Sequence, residues 1–243
     1  MIRLRTAGAA ALVCSILAGC AQYTALPRPG YESRGTEDMS SDQMMQTDFN
    51  RTLTIAMRDN LSSLMSLMTK LYKRNPREWR KSGKPSMEAA AETVRLSIDA
   101  RTPPAGLQGL HDVEILAVSL DPAYQGDRVA AFIYGMADTI VAAHDGKTRF
   151  YAFDLLDGDR VYNAARNVEA AAWLLGSRRD ARGEPLLLAN EWTDKQVNLS
   201  FEREFGAIIG RLDLIANLLG ENSRRLGINY AQNLMLFSFL PVR

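Results

Sequence analysis

The sequence predicts an all-α fold of six to eight helices, and three observations carry that prediction. Between Asp42 and Arg74 there is neither glycine nor proline, and Met57, Leu61, Leu64, Met68 and Leu71 recur at steps of four and three, the stripe of an amphipathic helix. Residues 127–145, DRVAAFIYGMADTIVAAHD, are apolar almost all round, as a helix at the centre of a bundle must be. Only two runs, RFYAFDL at 149–155 and LLLANEW at 186–192, have strand character, and a ribbon of two strands is marginal by itself.

The first helix is expected to stop at Asn75-Pro76, because the residue before a proline avoids the helical region. A shorter helix from Ser86 to Ile98 follows, then the loop RTPPAGLQG, then a helix or short strand from Asp112 to Leu120. In the apolar helix Asp127 is the expected N-cap and Gly146 the stop. That helix is too short to cross a bilayer and carries Asp138 at its middle, which places it inside a bundle and not in a membrane. A buried ionised carboxylate needs a partner, so an arginine such as Arg166 or Arg211 is expected to reach Asp138, or Asp138 to lie at the edge of the core. Val161, Ala165, Val168, Ala172 and Leu175 mark another helix. Thr193 and Gln196 fit a capping box for a helix that buries Phe201, Phe205, Ile208, Leu212, Ile215 and Leu219 and ends at Gly220, before a last helix from Asn222 to Phe239.

The amino terminus is of another kind. Arg3 and Arg5 precede a short apolar run from Ala7 to Leu17, the layout of a secretory signal peptide. It closes on Leu17-Ala18-Gly19-Cys20, which resembles the lipobox of bacterial lipoproteins. That resemblance implies cleavage before Cys20, a diacylglycerol on its sulfur and an acyl chain on its amine, a stable anchor because each buried methylene contributes about 0.8 kcal/mol. It further implies, with Ala21 and Gln22 next in line, the outer membrane with the chain facing the periplasm. The expected organisation is a signal peptide over 1–19, a lipidated Cys20 and Pro- and Gly-bearing tether over 20–40, and a helical domain over 41–243. The chain as a whole is similar to proteobacterial lipoproteins, and no named family attaches to residues 41–243.

Composition excludes several chemistries. Cys14 leaves with the signal peptide and Cys20 is blocked by lipid, so no disulfide, thiolate nucleophile or cysteine metal site remains. Loss of residues 1–19 removes two arginines and no acid, which takes the formal charge from +1 to −1, without the basic footprint that nucleic acid requires. The only histidines, His111 and His144, each precede an aspartate, as in helical metal-dependent phosphohydrolases, but two imidazoles are too few for that site. Neither a metal nor another cofactor is expected. The methionines of the first helix, with Met65 and Met68 on adjacent turns, offer thioethers to Cu(I), yet they read more simply as adaptable packing.

Lytic transglycosylases are the enzymes to compare with a helical envelope lipoprotein. Their Glu-Ser pair falls here in the tether, as Glu32-Ser33, and their Gly-Leu-Met-Gln element is reduced to Gly106-Leu107-Gln108. No Gly-x-Ser-x-Gly elbow, HExxH or phosphate-cradling glycine loop is present. Two basic stretches stand out instead, KRNPREWRKSGK at 73–84 and SRRDARGE at 177–184. The residues assigned to partner binding are Arg77, Trp79 and Arg80, an aromatic anchor between cations. Trp79→Ala is then expected to cost little stability. The expected function is a non-enzymatic binding, scaffold or accessory component for another periplasmic or membrane protein; the alternative is a periplasmic cell-wall hydrolase.

Overall fold

Helix starts in this protein are set by side-chain caps that the sequence displays. The computed structural model describes residues 46–151, 154–192 and 197–237. The expected signal segment, Cys20, the expected tether and the Thr193–Gln196 pair lie outside the described residues. Helix α1 (Asp48–Arg74) begins where Thr47 Oγ1 accepts the N–H of Asn50. It ends at Asn75, whose own N–H returns to Leu71 O at 2.8 Å. Pro76 then occupies the first position of a short helix α2 (Pro76–Lys81), where a missing N–H costs nothing, so the basic stretch is helical and not a loop.

Ser86 caps α3 (Met87–Asp99), and the 101–111 loop leads into α4 (Asp112–Ser119), a helix and not a strand. Asp127 Oδ1 accepts the N–H of Ala130 to start α5 (Arg128–Ala143), and Gly146, with φ +74°, turns the chain after it. Helix α6 (Gly158–Ser177) starts from an Asp157 cap. Strand β1 (Glu191–Trp192) pairs antiparallel with β2 (Val197–Asn198), and α7 (Ser200–Phe237) completes seven helices among the described residues.

Helix α5 is the centre of the core. Val129, Phe132, Ile133, Met136 and Ile140 are fully buried, and α1, α3, α4 and α6 pack around it. Phe132 meets Phe205 of α7 edge to face at 6.5 Å. Burying five large apolar side chains of this kind contributes about 1.5–3 kcal/mol apiece before entropy is counted. Helix α4 can lie close to α5 because Gly135 has no Cβ; one added there would stand 3.1 Å from Ile115 and Leu116.

Three expectations are corrected. Residues 149–151 and 154–155 form no strand: Phe150 is buried, its N–H donates to Thr54 Oγ1 at 3.1 Å and its carbonyl accepts from Gln46 Nε2 at 2.9 Å, so side chains at and before α1 satisfy the backbone that a strand partner would have served. The ribbon uses only the last two residues of 186–192, and pairs them with 197–198. Gly220 does not end a helix, since α7 runs through it to Phe237. A Cβ on Gly158 would lie 3.2 Å from Ala216 O and 3.5 Å from Gly220 N, so the start of α6 rests closely on that stretch of α7.

Among the described residues no arginine forms an ion pair with Asp138. It lies at the partly exposed edge of α5, the other expected placement, and its Oδ2 accepts the N–H of Asp112 at 2.9 Å, a carboxylate at the N-terminus of α4. Arg166 instead forks onto Asp213 at 2.7 and 2.8 Å, joining α6 to α7. Arg211 reaches Asn60 Oδ1 at 3.0 Å on α1.

Candidate functional site

The corner where α1 turns into α2 gathers the residues assigned to partner binding. Arg77 and Arg80 are exposed, and the Arg80 guanidinium lies 5.2 Å from the centre of the Trp79 ring. Trp79 is half-buried, one side packed on the main core. The chain that follows the second basic stretch meets the corner. Asn75 clamps the chain at Leu188 through a pair of hydrogen bonds, Nδ2 to the carbonyl at 2.9 Å and Oδ1 from the N–H at 2.7 Å. Arg74 adds a 2.7 Å ion pair to Glu191, and Leu186 N donates to Arg178 O, closing the 178–186 loop on itself.

Charge is not balanced locally. Lys81 pairs with Glu78, Arg74 with Glu191 and Arg182 with Asp180. Lys73, Arg77, Arg80, Lys84 and Arg178 are at the surface and pair with no carboxylate among the described residues. A set of cations with no counter-charge projects an attractive field toward anions.

Glu78 is the corner residue that sequence reasoning missed. It is only 8 % exposed, takes two 2.8 Å hydrogen bonds from Lys81 Nζ and accepts the N–H of Arg128 at 2.8 Å. Beside it Tyr72 donates to Asp127 Oδ2 at 2.7 Å, and the buried Arg128 side chain gives hydrogen bonds to the carbonyls of Ser119, Asp121, Pro122 and Tyr124. Burial raises the Asp127 carboxyl and, together with the Asp127 charge, pushes the Tyr72 hydroxyl far above its ordinary range. The core behind the corner is thus a polar knot, and its outer side is cationic.

Two further features lie elsewhere. Asp112 and Asp138 face each other at the start of α4 near Arg101 and Tyr134; burial and the Asp138 charge raise the Asp112 carboxyl, and burial pushes the Tyr134 hydroxyl up to about 12. The cavity there is about 10 Å³, the size of a single water. Next to β1, an open groove of about 330 Å³ runs between the end of α6 and the start of α7, with Trp173 on its rim, 70 % exposed. Sequence reasoning passed over Trp173, although a signal existed: it falls off the Val161, Ala165, Val168, Ala172 and Leu175 stripe and so had to face outward.

His111 stands before the first turn of α4, where its N–H donates to Glu114 at 3.3 Å. His144 closes α5, buried, with Nδ1 donating to Ile140 O at 2.8 Å. Among the described residues no three His, Cys, Asp or Glu side chains are grouped as a metal would need, and no helix is long and apolar enough to cross a membrane. No family model, curated protein or solved structure matches the chain.

Proposed function

We propose that this chain is a lipid-anchored envelope protein, tethered through Cys20 to the outer membrane and facing the periplasm, that works as a non-enzymatic binding or scaffold component for another envelope protein. The contact surface in this reading is the corner of Arg77, Trp79 and Arg80, and the partner presents acidic groups to it. The observation that carries the reading is the set of surface cations around a half-buried tryptophan that pair with no carboxylate among the described residues. Trp79 supplies apolar area at a place already stiffened by the Asn75 clamp, and a rigid aromatic with cationic neighbours binds with little loss of side-chain freedom.

The test is co-purification from detergent-solubilised envelopes with wild type and with Arg77→Glu/Arg80→Glu. The reading expects an acidic envelope protein to accompany the wild type, to be released as salt rises, and to be lost from the charge-reversed variant at unchanged melting temperature. Equal recovery of the same protein by both would remove the corner from the interface. Release of soluble fragments from purified peptidoglycan by the protein alone would favour the hydrolase alternative. Lipidation has its own check: intact mass must show cleavage before Cys20 and the added acyl chains, and Cys20→Ala must lose both.

A further inference from the structure

The groove beside Trp173 has no role in the reading above, and its chemistry is different from that of the corner. Its floor is small and apolar, formed by Ala172, Leu175, Ala189 and Phe205. Its rim is polar: the Ser177 hydroxyl, the Asn190 amide and the Glu202 carboxylate. Asn190 Nδ2 donates to Glu202 Oε1 at 2.6 Å; both residues are exposed, so the lone pairs left on this planar pair are open to hydroxyl donors. The Trp173 ring, with no ring partner among the described residues, stands beside them 70 % exposed. The volume of about 330 Å³ is at the lower end of the ~300–1,000 Å³ range of small-molecule sites.

A flat apolar ring next to planar hydrogen-bonding groups is complementary to one class of molecule. A pyranose ring has an apolar face of C–H bonds that stacks on an indole, and an edge of hydroxyl donors that carboxylate and amide oxygens accept. An acyl chain would leave the rim acceptors dehydrated and unmade. A bare carboxylate would meet Glu202. Charge complementarity then extends the fit: Arg178 and Arg179 directly follow Ser177, and Arg179 Nη1 is held over the end of α6 by the carbonyl of Gly176 at 2.9 Å, itself part of the groove. These cations are placed for an acidic substituent on a neighbouring sugar, not for the ring that stacks. We propose that this groove is a carbohydrate subsite, in which Trp173 stacks a hexopyranose unit of an anionic glycan and the Asn190–Glu202 pair accepts its hydroxyls. The proposal goes beyond the binding role given to the Trp79 corner and does not require it.

The experiment uses the full lipidated chain in detergent and two probes, a soluble tetrasaccharide of β-1,4-linked N-acetylglucosamine followed by titration calorimetry, and purified insoluble peptidoglycan followed by co-sedimentation at physiological salt. Both glycans are expected to bind, the tetrasaccharide saturably at millimolar concentration or below. Trp173→Ala is expected to weaken each about tenfold or more, with the melting temperature unchanged because the ring is exposed. Arg178→Glu should weaken peptidoglycan binding and spare the neutral tetrasaccharide. Absence of binding by both glycans, or equal binding by wild type and Trp173→Ala, overturns the proposal. So does displacement of either glycan by decanoate, which would make the groove an acyl or apolar-peptide site. Arg77→Glu/Arg80→Glu serves as the separate control: its loss of the acidic partner with glycan binding intact would leave both ideas standing, and loss of glycan binding there but not in Trp173→Ala would assign the sugar to the corner and sink the groove.

Discussion

Glu78 Oε2 accepts the backbone N–H of Arg128 at 2.8 Å, so a residue of the cationic corner closes the N-terminus of the central helix. A carboxylate there meets the positive end of the helix dipole and one of its orphan donors together. Glu78→Ala leaves the Arg128 N–H buried and takes from Lys81 its carboxylate partner, with only the Gly126 carbonyl remaining to it. We expect a loss of about 1–3 kcal/mol in urea denaturation, larger than for Lys81→Ala, which removes only the partly exposed member of the pair. A smaller loss for Glu78→Ala than for Lys81→Ala would show that the helix cap contributes little.

Trp79 tests how far the corner belongs to the core. The sequence alone suggests that its truncation is nearly free. The structure puts part of the ring on the core cluster, and Trp79→Ala is therefore expected to cost stability in between: more than the ~0.5 kcal/mol of a surface change and less than the ~3–5 kcal/mol of a fully buried aromatic such as Phe132. Parallel denaturant melts of Trp79→Ala and Phe132→Ala check the order. Equal losses would place Trp79 in the core and weaken its use as an anchor.

Glycines of the helices separate into two kinds. A methyl at Gly135 meets Ile115 and Leu116 at 3.1 Å, whereas one at Gly210 of α7 has nothing within 4 Å. Gly210→Ala should stabilise by about 0.5–1 kcal/mol through helix propensity. Gly135→Ala has the same propensity gain against an overpacking cost of about 1–3 kcal/mol, so a net loss is expected. Thermal denaturation of both variants decides it, and stabilisation by Gly135→Ala would mean that α4 yields easily.

Local signals made much of this fold legible. Ser86 and Asp127 cap the helices that their positions announce, and four of the five residues in the four-and-three stripe of α1, Met57, Leu64, Met68 and Leu71, are buried, with Leu61 partly so. What stayed hidden depends on pairs distant in sequence. Gly220 reads as a stop, but α7 continues through it, and its backbone lies close to Gly158, 62 residues earlier. Phe150 has the composition of a strand, and no strand forms because Thr54 and Gln46 already serve its backbone. Glu78 looks like one more charge in a basic run, and only the fold reveals that the N-terminus of α5 lies beside it.

His144 gives the last prediction, a pH dependence of stability. Its ring is buried against Phe150, centroid to centroid 5.7 Å, and burial lowers its pKa below the ordinary imidazole value despite the neighbouring Asp145. Below about pH 6.5 the unfolded chain takes up a proton that the folded chain refuses, so the unfolded state binds more protons and stability falls as pH falls. The stability tied to the neutral ring is complete above the unfolded value and is lost progressively down to the folded one. The raised carboxyls of Asp112 and Asp127 act in the opposite sense: each burdens the fold when ionised and is relieved as pH falls through its folded value. Replacing His144 separates the two contributions, because both carboxyls remain. His144→Phe keeps an aromatic against Phe150 and gives up the 2.8 Å bond to Ile140 O, so it starts about 1 kcal/mol less stable. Between about pH 7.5 and about pH 5.5 its free energy of unfolding should nevertheless fall by less, or rise by more, than that of the wild type. Equal slopes for the two proteins in urea titrations at both pH values would show that His144 protonates as readily folded as unfolded.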